Sequence, residues 1–145
     1  MSSKSLSEDE YKNLFEICQS NLSNSYCPYS KFSVSAAILS EDDRVFTGVN
    51  IENASYGLTI CAERSAIAKA VTDGCQKFKA IVIVCGSKSD EYIGPCGACR
   101  QVLVEFGTDW DVYLTKSDGT YTKCTVGDLL PFAFVPESLR KSYNH

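Results

Sequence analysis

Cysteine dominates the reactive side chains of this sequence. The 145 residues include 8 cysteines and 1 histidine, and that histidine is the last residue, His145. A triad or metal site that needs histidine would depend on a chain end, where order is poor. Cysteine chemistry is therefore expected, and two segments favour it: Cys61-Ala62-Glu63-Arg64 and Pro95-Cys96-Gly97-Ala98-Cys99.

The spacing within these two segments suits a metal ion. Each segment begins a predicted helix, whose free N–H groups and dipole favour thiolate over thiol. Cys96 and Cys99 stand three residues apart, hence on one face of their helix. With Cys61 they could bind one zinc ion per chain and leave the fourth tetrahedral position to water, the layout of a catalytic zinc site.

Two charged residues beside Cys61 fit the same interpretation. Glu63 follows Cys61 by two residues, within reach of a water that zinc activates, and is predicted to be the catalytic proton shuttle. Three thiolates around a divalent ion leave an excess of negative charge. Arg64 and the two helix dipoles could offset that excess.

Two other functions use some of the same cysteines. Cys96-Gly97-Ala98-Cys99 at a helix start also resembles a thiol–disulfide redox pair, although such a pair has no use for Cys61 or Glu63. A structural zinc site with Cys85 or Cys27 as a fourth ligand would make the chain a binding module. Otherwise Cys18, Cys75, Cys85 and Cys124 are expected to be small core residues or ordinary thiols.

Hydrophobic periodicity and turn residues predict an α/β fold. Predicted helices cover 8–24, 61–73 and 96–106, with a brief helix from 125 and a last helical turn from 136. Predicted strands cover 32–38, 45–49, 78–85, 112–114 and 121–123. Strands that alternate with helices imply a parallel strand pair, and the N-terminal hairpin makes the sheet mixed. The two cysteine-bearing helices should start at the carboxyl ends of neighbouring strands and point at one crevice.

Length and charge limit the classes of function. A chain of 145 residues fits one domain over 1–145, with a core that needs no disulfides. The net charge of −4 and the lack of a Lys/Arg run make nucleic acid an improbable partner. No signal peptide or stretch of ~20 apolar residues is apparent. We therefore expect a soluble, cytoplasmic protein, with nuclear access left open.

The zinc signature resembles that of the zinc-dependent cytidine deaminases. Cys-x-Glu followed by Pro-Cys-x-x-Cys matches their three-cysteine variant, and the likeness runs over about 26–139. Four further segments are similar to motifs of the nucleoside-acting enzymes: Cys27-Pro28-Tyr29-Ser30-Lys31-Phe32, Asn50-Ile51-Glu52-Asn53-Ala54, Cys96-Gly97-Ala98-Cys99-Arg100-Gln101 and Leu129-Leu130-Pro131-Phe132-Ala133-Phe134.

This resemblance implies a fold, a reaction and an assembly. The fold would be a three-layer sandwich around a mixed sheet of roughly five strands. The reaction would be hydrolytic deamination of cytidine and 2′-deoxycytidine to the uridine products with release of ammonia, a step of pyrimidine salvage. The enzyme would be a homotetramer. A polynucleotide-editing deaminase shares the zinc signature, but it needs a charged, aromatic path for single strands that this acidic chain lacks.

The resemblance also implies substrate contacts. Asn50 and Glu52 would bond the ribose hydroxyls, and the backbone of Ala62 would contact the pyrimidine. Phe134 would pack on the base in a neighbouring subunit's site. The further substrate-binding residues are Tyr29 and Phe32. Ser35 and Val135 stand where the family would have glycine.

Overall fold

The core of the molecule is one mixed sheet. The computed structural model describes residues 5–87 and 91–143. The strands are β1 Val34–Ser40, β2 Val45–Val49, β3 Phe78–Cys85, β4 Asp111–Thr115 and β5 Tyr121–Thr125. Their spatial order is β2-β1-β3-β4-β5; β3 and β4 are parallel, and the other neighbours are antiparallel. The predicted mixed, five-stranded α/β fold is confirmed.

Local sequence signals explain where the helices start and stop. The helices are α1 Glu8–Asn21, α2 Ala62–Thr72, α3 Gly97–Val104, α4 Val126–Leu129 and α5 Pro136–Tyr143. At α1 the Ser7 hydroxyl accepts a bond from the Glu10 N–H, and the Glu10 carboxylate accepts one from the Ser7 N–H. After α2 the chain turns at Gly74, whose φ of 84° is a conformation that glycine adopts easily. No described helix is both long enough and apolar enough to cross a membrane.

Several predicted boundaries are wrong by two or three residues. A 3₁₀ turn over Leu22–Asn24 follows α1, α3 ends two residues early at Val104, and α5 has two turns instead of one. β1 begins at Val34 instead of 32 because the Asn50 side chain bonds the backbone groups there. Its Nδ2 donates to the Phe32 carbonyl at 2.8 Å, and its Oδ1 accepts from the Val34 N–H at 3.0 Å.

Helices cover both faces of the sheet, which gives three layers. On β3, Ile81 and Ile83 face the cluster formed with α2 and α3, whereas Ala80, Val82 and Val84 face the cluster formed with α1. This central strand is therefore buried on both sides, as its unbroken apolar run predicts.

The sheet topology brings the two cysteine-bearing helices to one edge. β2 and β3 are both antiparallel to β1, so their carboxyl ends point the same way. α2 follows β2 and α3 follows β3 along the chain. The expectation that these strands are neighbours is wrong, because β1 lies between them. Its first residues pair with both strand ends: Val34 with Cys85, and Ser35 with Val49.

Candidate active site

Three cysteine thiols meet at this edge. Cys61 is the N-cap of α2, Cys96 is the N-cap of α3, and Cys99 lies in the first turn of α3. The Cys96 Sγ is 3.8 Å from the Cys61 Sγ and 3.4 Å from the Cys99 Sγ. All three sulfurs lie within 4.8 Å of one another. Zn–S bonds of ~2.3 Å in a tetrahedron separate sulfurs by roughly 3.8 Å, so this cluster fits zinc.

The proposed fourth cysteine ligands do not join the cluster. Among the described residues, the group that could hold a metal contains only these three thiols and neither Cys85 nor Cys27. Burial raises the pKa of Cys85 to about 11, and the nearby charge of Glu63 adds to the effect. Cys85 and Cys27 lie outside the cluster, so the structural four-cysteine site has no support among the described residues.

The backbone at the start of α3 favours one thiolate. Partial burial acts to raise the pKa of Cys96, but hydrogen bonds from the Cys99 backbone, from the Cys99 and Cys61 thiols and from the Ala98 backbone together outweigh it, so that pKa is lowered. This is the effect expected of free N–H groups at a helix start.

Glu63 is a buried carboxyl beside the thiols. It lies in the first turn of α2 and is 5% exposed. Burial raises the pKa of Glu63. Its own backbone N–H, the Cys99 side chain and the charge of Arg64 act to lower that pKa but do not outweigh burial. A carboxyl with a raised pKa exchanges protons closer to neutral pH than an exposed one.

Arg64 supplies positive charge to the cluster. Its Nη2 donates to the Cys61 Sγ at 3.6 Å and to the Thr59 carbonyl at 3.3 Å. A guanidinium bound to a thiolate offsets part of the negative charge that three sulfurs bring together. The geometry thus places Arg64 where the sequence predicts a compensating charge.

A cavity of about 260 Å³ opens beside the thiols. Asn50, Glu52 and Glu63 line its polar part. The apolar wall consists of the predicted Phe32 together with residues that were not predicted: Val34, Ile83, Cys85 and Ile93. Among larger hollows, those of about 460 and 680 Å³ contain none of the predicted site residues, whereas one of about 400 Å³ is lined by Tyr29 and Glu52.

Asn50 and Glu52 line this cavity while also holding the loop before β1. The Asn50 amide spans Phe32 and Val34 and keeps one N–H and one lone pair free of these bonds. The Glu52 carboxylate accepts bonds from the Tyr29 N–H at 3.0 Å and from the N–H and hydroxyl of Ser30. The Ser30 hydroxyl, followed by these backbone bonds, lowers the pKa of Glu52, which keeps it ionised.

The other predicted contacts divide between this cavity and the surface. Phe32 and Ala62 line the cavity. Tyr29 lines an adjoining hollow. Its ring packs edge-on against that of Tyr56, with the two ring centroids 5.8 Å apart. Phe134 is 57% exposed and lies outside the lining of this chain's own cavity.

Comparison with known proteins decides the family. The sequence model of the cytidine and deoxycytidylate deaminase zinc-binding region matches residues 8–115. The chain belongs to the cytidine deaminase family.

Individual members of the cytidine deaminase family agree with this assignment. The chain is 46% identical to a probable cytidine deaminase of Dictyostelium discoideum over 92% of this chain and 90% of that protein. It is 50% identical to the cytidine deaminase of Sporosarcina psychrophila, over 79% and 83% of the two chains. The crystal structure of cytidine deaminase from Burkholderia pseudomallei superimposes with a TM-score of 0.81 at 42% identity, covering 89% of this chain and 100% of that one.

Zinc is the metal of this family region, and the cysteine cluster can hold it. Three sulfur ligands leave one tetrahedral position for a non-protein ligand. This is the layout of a catalytic zinc site. Neither the redox alternative nor the polynucleotide alternative is favoured by these findings.

Proposed function

We propose that this enzyme hydrolyses the exocyclic amino group of cytidine and 2′-deoxycytidine and releases uridine or 2′-deoxyuridine and ammonia. The observation that carries the proposal is the convergence of three thiols and the buried Glu63 at one end of a nucleoside-sized cavity. Membership of the cytidine deaminase family supports it. In the cell this reaction would serve pyrimidine salvage in the cytoplasm.

In the proposed mechanism, Cys61, Cys96 and Cys99 hold zinc and Glu63 moves the protons. Bound zinc supplies the Lewis acidity that activates water for attack. Glu63 takes a proton from the attacking water and gives it to the pyrimidine ring nitrogen as the oxygen adds to the carbon that bears the amino group. It then takes the remaining proton from the added hydroxyl and gives it to the departing amine as the carbon–nitrogen bond breaks, which leaves the carbonyl of the product. The raised pKa of Glu63 suits a group that must both accept and donate.

The substrate would enter with its base towards the thiols and its ribose towards Asn50 and Glu52. Asn50 retains one donor and one acceptor for a hydroxyl, and the Glu52 carboxylate retains acceptor capacity. Phe32 and the backbone of Ala62 would contact the pyrimidine. Tyr29 lies in the adjoining hollow and would extend the ribose end of the site.

The charge of the cavity favours a neutral nucleoside. Its described lining contains two carboxylates, Glu52 and Glu63, and no Lys or Arg. A nucleoside phosphate or a polynucleotide would bring negative charge towards Glu52, and Lys31, the cation whose charge acts on Glu52, lies outside the described lining of the cavity. We therefore assign cytidine and 2′-deoxycytidine as substrates in preference to phosphorylated forms.

Large exposed apolar side chains support a homotetramer. Tyr56 is 74% exposed, Leu58 is 65% exposed and Phe134 is 57% exposed. Apolar surface of this kind marks contact sites between proteins. In the proposed assembly Phe134 packs on the base in a neighbouring subunit's site.

The substrate assignment is tested by comparing kcat/KM for cytidine, 2′-deoxycytidine, deoxycytidylate and a single-stranded cytosine-containing oligonucleotide. Both nucleosides should be deaminated, and the two phosphate-bearing substrates should react at least roughly tenfold more slowly because of uncompensated charge. Ammonia release and uridine formation measure the rate. Faster turnover of deoxycytidylate or of the oligonucleotide would overturn the assignment.

A further inference from the structure

The segment that bears Phe134 is fastened to the helix that carries two of the three thiols. The Arg100 guanidinium on α3 donates from Nη1 to the Leu129 carbonyl at 3.0 Å and from Nε to the Pro95 carbonyl at 2.7 Å. Gly94 leaves room for this group, since a Cβ there would stand 2.9 Å from the Arg100 Nη2. One side chain thus joins the loop before Cys96 to the start of the C-terminal segment.

The next residue of α3 makes a second bond to the same segment. The Gln101 Nε2 donates to the Phe134 carbonyl at 2.8 Å. Ala133 and Val135 pack against the core on either side of Phe134, so the chain is anchored around it. The Phe134 ring itself is more than half exposed, so core packing does not set its direction. The Gln101 bond fixes the peptide plane from which that ring projects.

We propose that Gln101 is a positioning residue for deamination: by holding the Phe134 carbonyl, it sets the direction in which the Phe134 ring projects towards the nucleoside of a second copy. This inference rests on the proposed function, in which Phe134 packs on a base in a neighbouring site. Because the ring would contact the base and not the reacting groups, loss of the Gln101 bond should weaken substrate binding more than chemistry.

A double-mutant cycle tests this role. Gln101→Leu should raise the KM for cytidine roughly three- to tenfold, the range expected for one hydrogen bond, while kcat stays within about twofold. Phe134→Ala should also raise KM, and adding Gln101→Leu to Phe134→Ala should raise it no further, because the two residues act through one contact. Gln19→Leu is the matched control, since Gln19 is another exposed helical glutamine.

Folding and zinc loading are measured for each variant by thermal unfolding and by zinc content per chain. Gln101→Glu gives a second route, since it keeps the side chain's shape but replaces the donor by an acceptor that cannot bond the carbonyl. It should raise KM as Gln101→Leu does.

The outcomes separate this inference from the proposed function. The positioning role alone is overturned if KM rises in Phe134→Ala but in neither Gln101 variant. It is also overturned if Gln101→Leu raises KM equally in the wild-type and the Phe134→Ala backgrounds. An unchanged KM in Phe134→Ala removes the role of Phe134 and this inference with it. A wild-type protein that does not deaminate cytidine removes the proposed function itself.

Discussion

Glu63 and the three thiols form a small group whose members depend on one another. The three sulfurs lie within 4.8 Å of one another, close enough to hold one zinc ion, and Glu63 is buried next to Cys99 with a raised pKa. Two of these relations were predictable from short spacings: two residues from Cys61 to Glu63, and three from Cys96 to Cys99. The approach of Cys61 to Cys96, 35 residues further along the chain, depends on the sheet topology instead. A spacing of three on a helix fixes a shared face whatever the rest of the fold does.

The apolar wall of the cavity could not be predicted in the same way. Val34 and Cys85 face each other only through the register of β1 and β3, which are far apart in sequence. Cys85 was expected to be a core residue or a fourth ligand, and it lines the cavity instead. The unbroken apolar run of β3 predicts burial on both faces, but the register that makes one of these faces a cavity wall depends on the whole sheet.

At the scale of single residues, Arg64 should matter for rate more than for metal content. Arg64→Gln removes the charge next to the Cys61 sulfur and leaves all three thiols in place. We expect a loss of kcat of about tenfold or more, the value of a hydrogen bond to a charged group, with about one zinc per chain retained. Arg140→Gln, at an exposed position of α5, is the control. Unchanged kcat in Arg64→Gln would contradict charge compensation.

At the scale of elements, the close approach of α2 to β2 positions the catalytic helix. A Cβ on Gly48 would stand 2.4 Å from the Ala66 nitrogen and 2.5 Å from the Ala62 carbonyl oxygen, and both atoms are backbone. Only a glycine at this point lets the helix lie where it does, with Glu63 in its first turn. The periodicity of β2 gives no sign of this contact, so sequence alone could not reveal it.

Gly48→Ala should therefore displace α2 and reduce turnover. A shift near 1 Å at a reacting group costs about a hundredfold in rate, so a loss of that order is expected. The kcat and the zinc content are measured together, with Gly57→Ala as the control because its Cβ would meet no atom within 4 Å. Wild-type kcat in a folded Gly48→Ala variant would show that α2 tolerates the displacement.

The start of α1 gives a pH-dependent contribution to stability. The Ser7 backbone bond, followed by Lys79, lowers the pKa of Glu10 below its unfolded value. A lowered carboxyl pKa stabilises the fold above the unfolded pKa of about 4.3, and this stabilisation is lost as pH falls through the folded pKa.

Glu10→Gln should accordingly lower the free energy of unfolding by about 1 kcal/mol at pH 7, through the weakened capping box and the lost ion pair with Lys79. The difference from wild type should shrink as pH is lowered towards roughly 3. Urea unfolding at several pH values measures it, with the exposed Glu16→Gln on the same helix as the control. A difference that does not change with pH would exclude the ionised form of Glu10 as its source.

For the whole molecule, the order of strands decides where chemistry occurs. The parallel directions of β2 and β3 bring two helix starts together. β1 lies between them, and its first residue, Val34, lines the cavity. The sequence predicts the strands and their mixed directions, because alternation and the apolar run of β3 are strong signals. It does not predict their spatial order, which depends on contacts across the whole sheet.

The exposed aromatic and aliphatic side chains lead us to expect that the protein assembles as a tetramer. Light scattering should give the mass of four chains, and Leu58→Glu should lower that mass, because a charge at a 65% exposed apolar site disfavours its burial between subunits. Loss of assembly should raise KM if Phe134 completes a neighbouring site. A monomeric wild-type protein with full activity would contradict both the tetramer and the role of Phe134.

The most direct test of the account measures zinc and turnover together in Glu63→Ala. The three thiols remain in this variant, so it should bind about one zinc per chain, as wild type does. Cytidine turnover should fall by at least a thousandfold, since no other group would move protons between water, ring nitrogen and amine. A Glu63→Ala enzyme that binds zinc and converts cytidine to uridine at the wild-type rate would contradict the proposed mechanism.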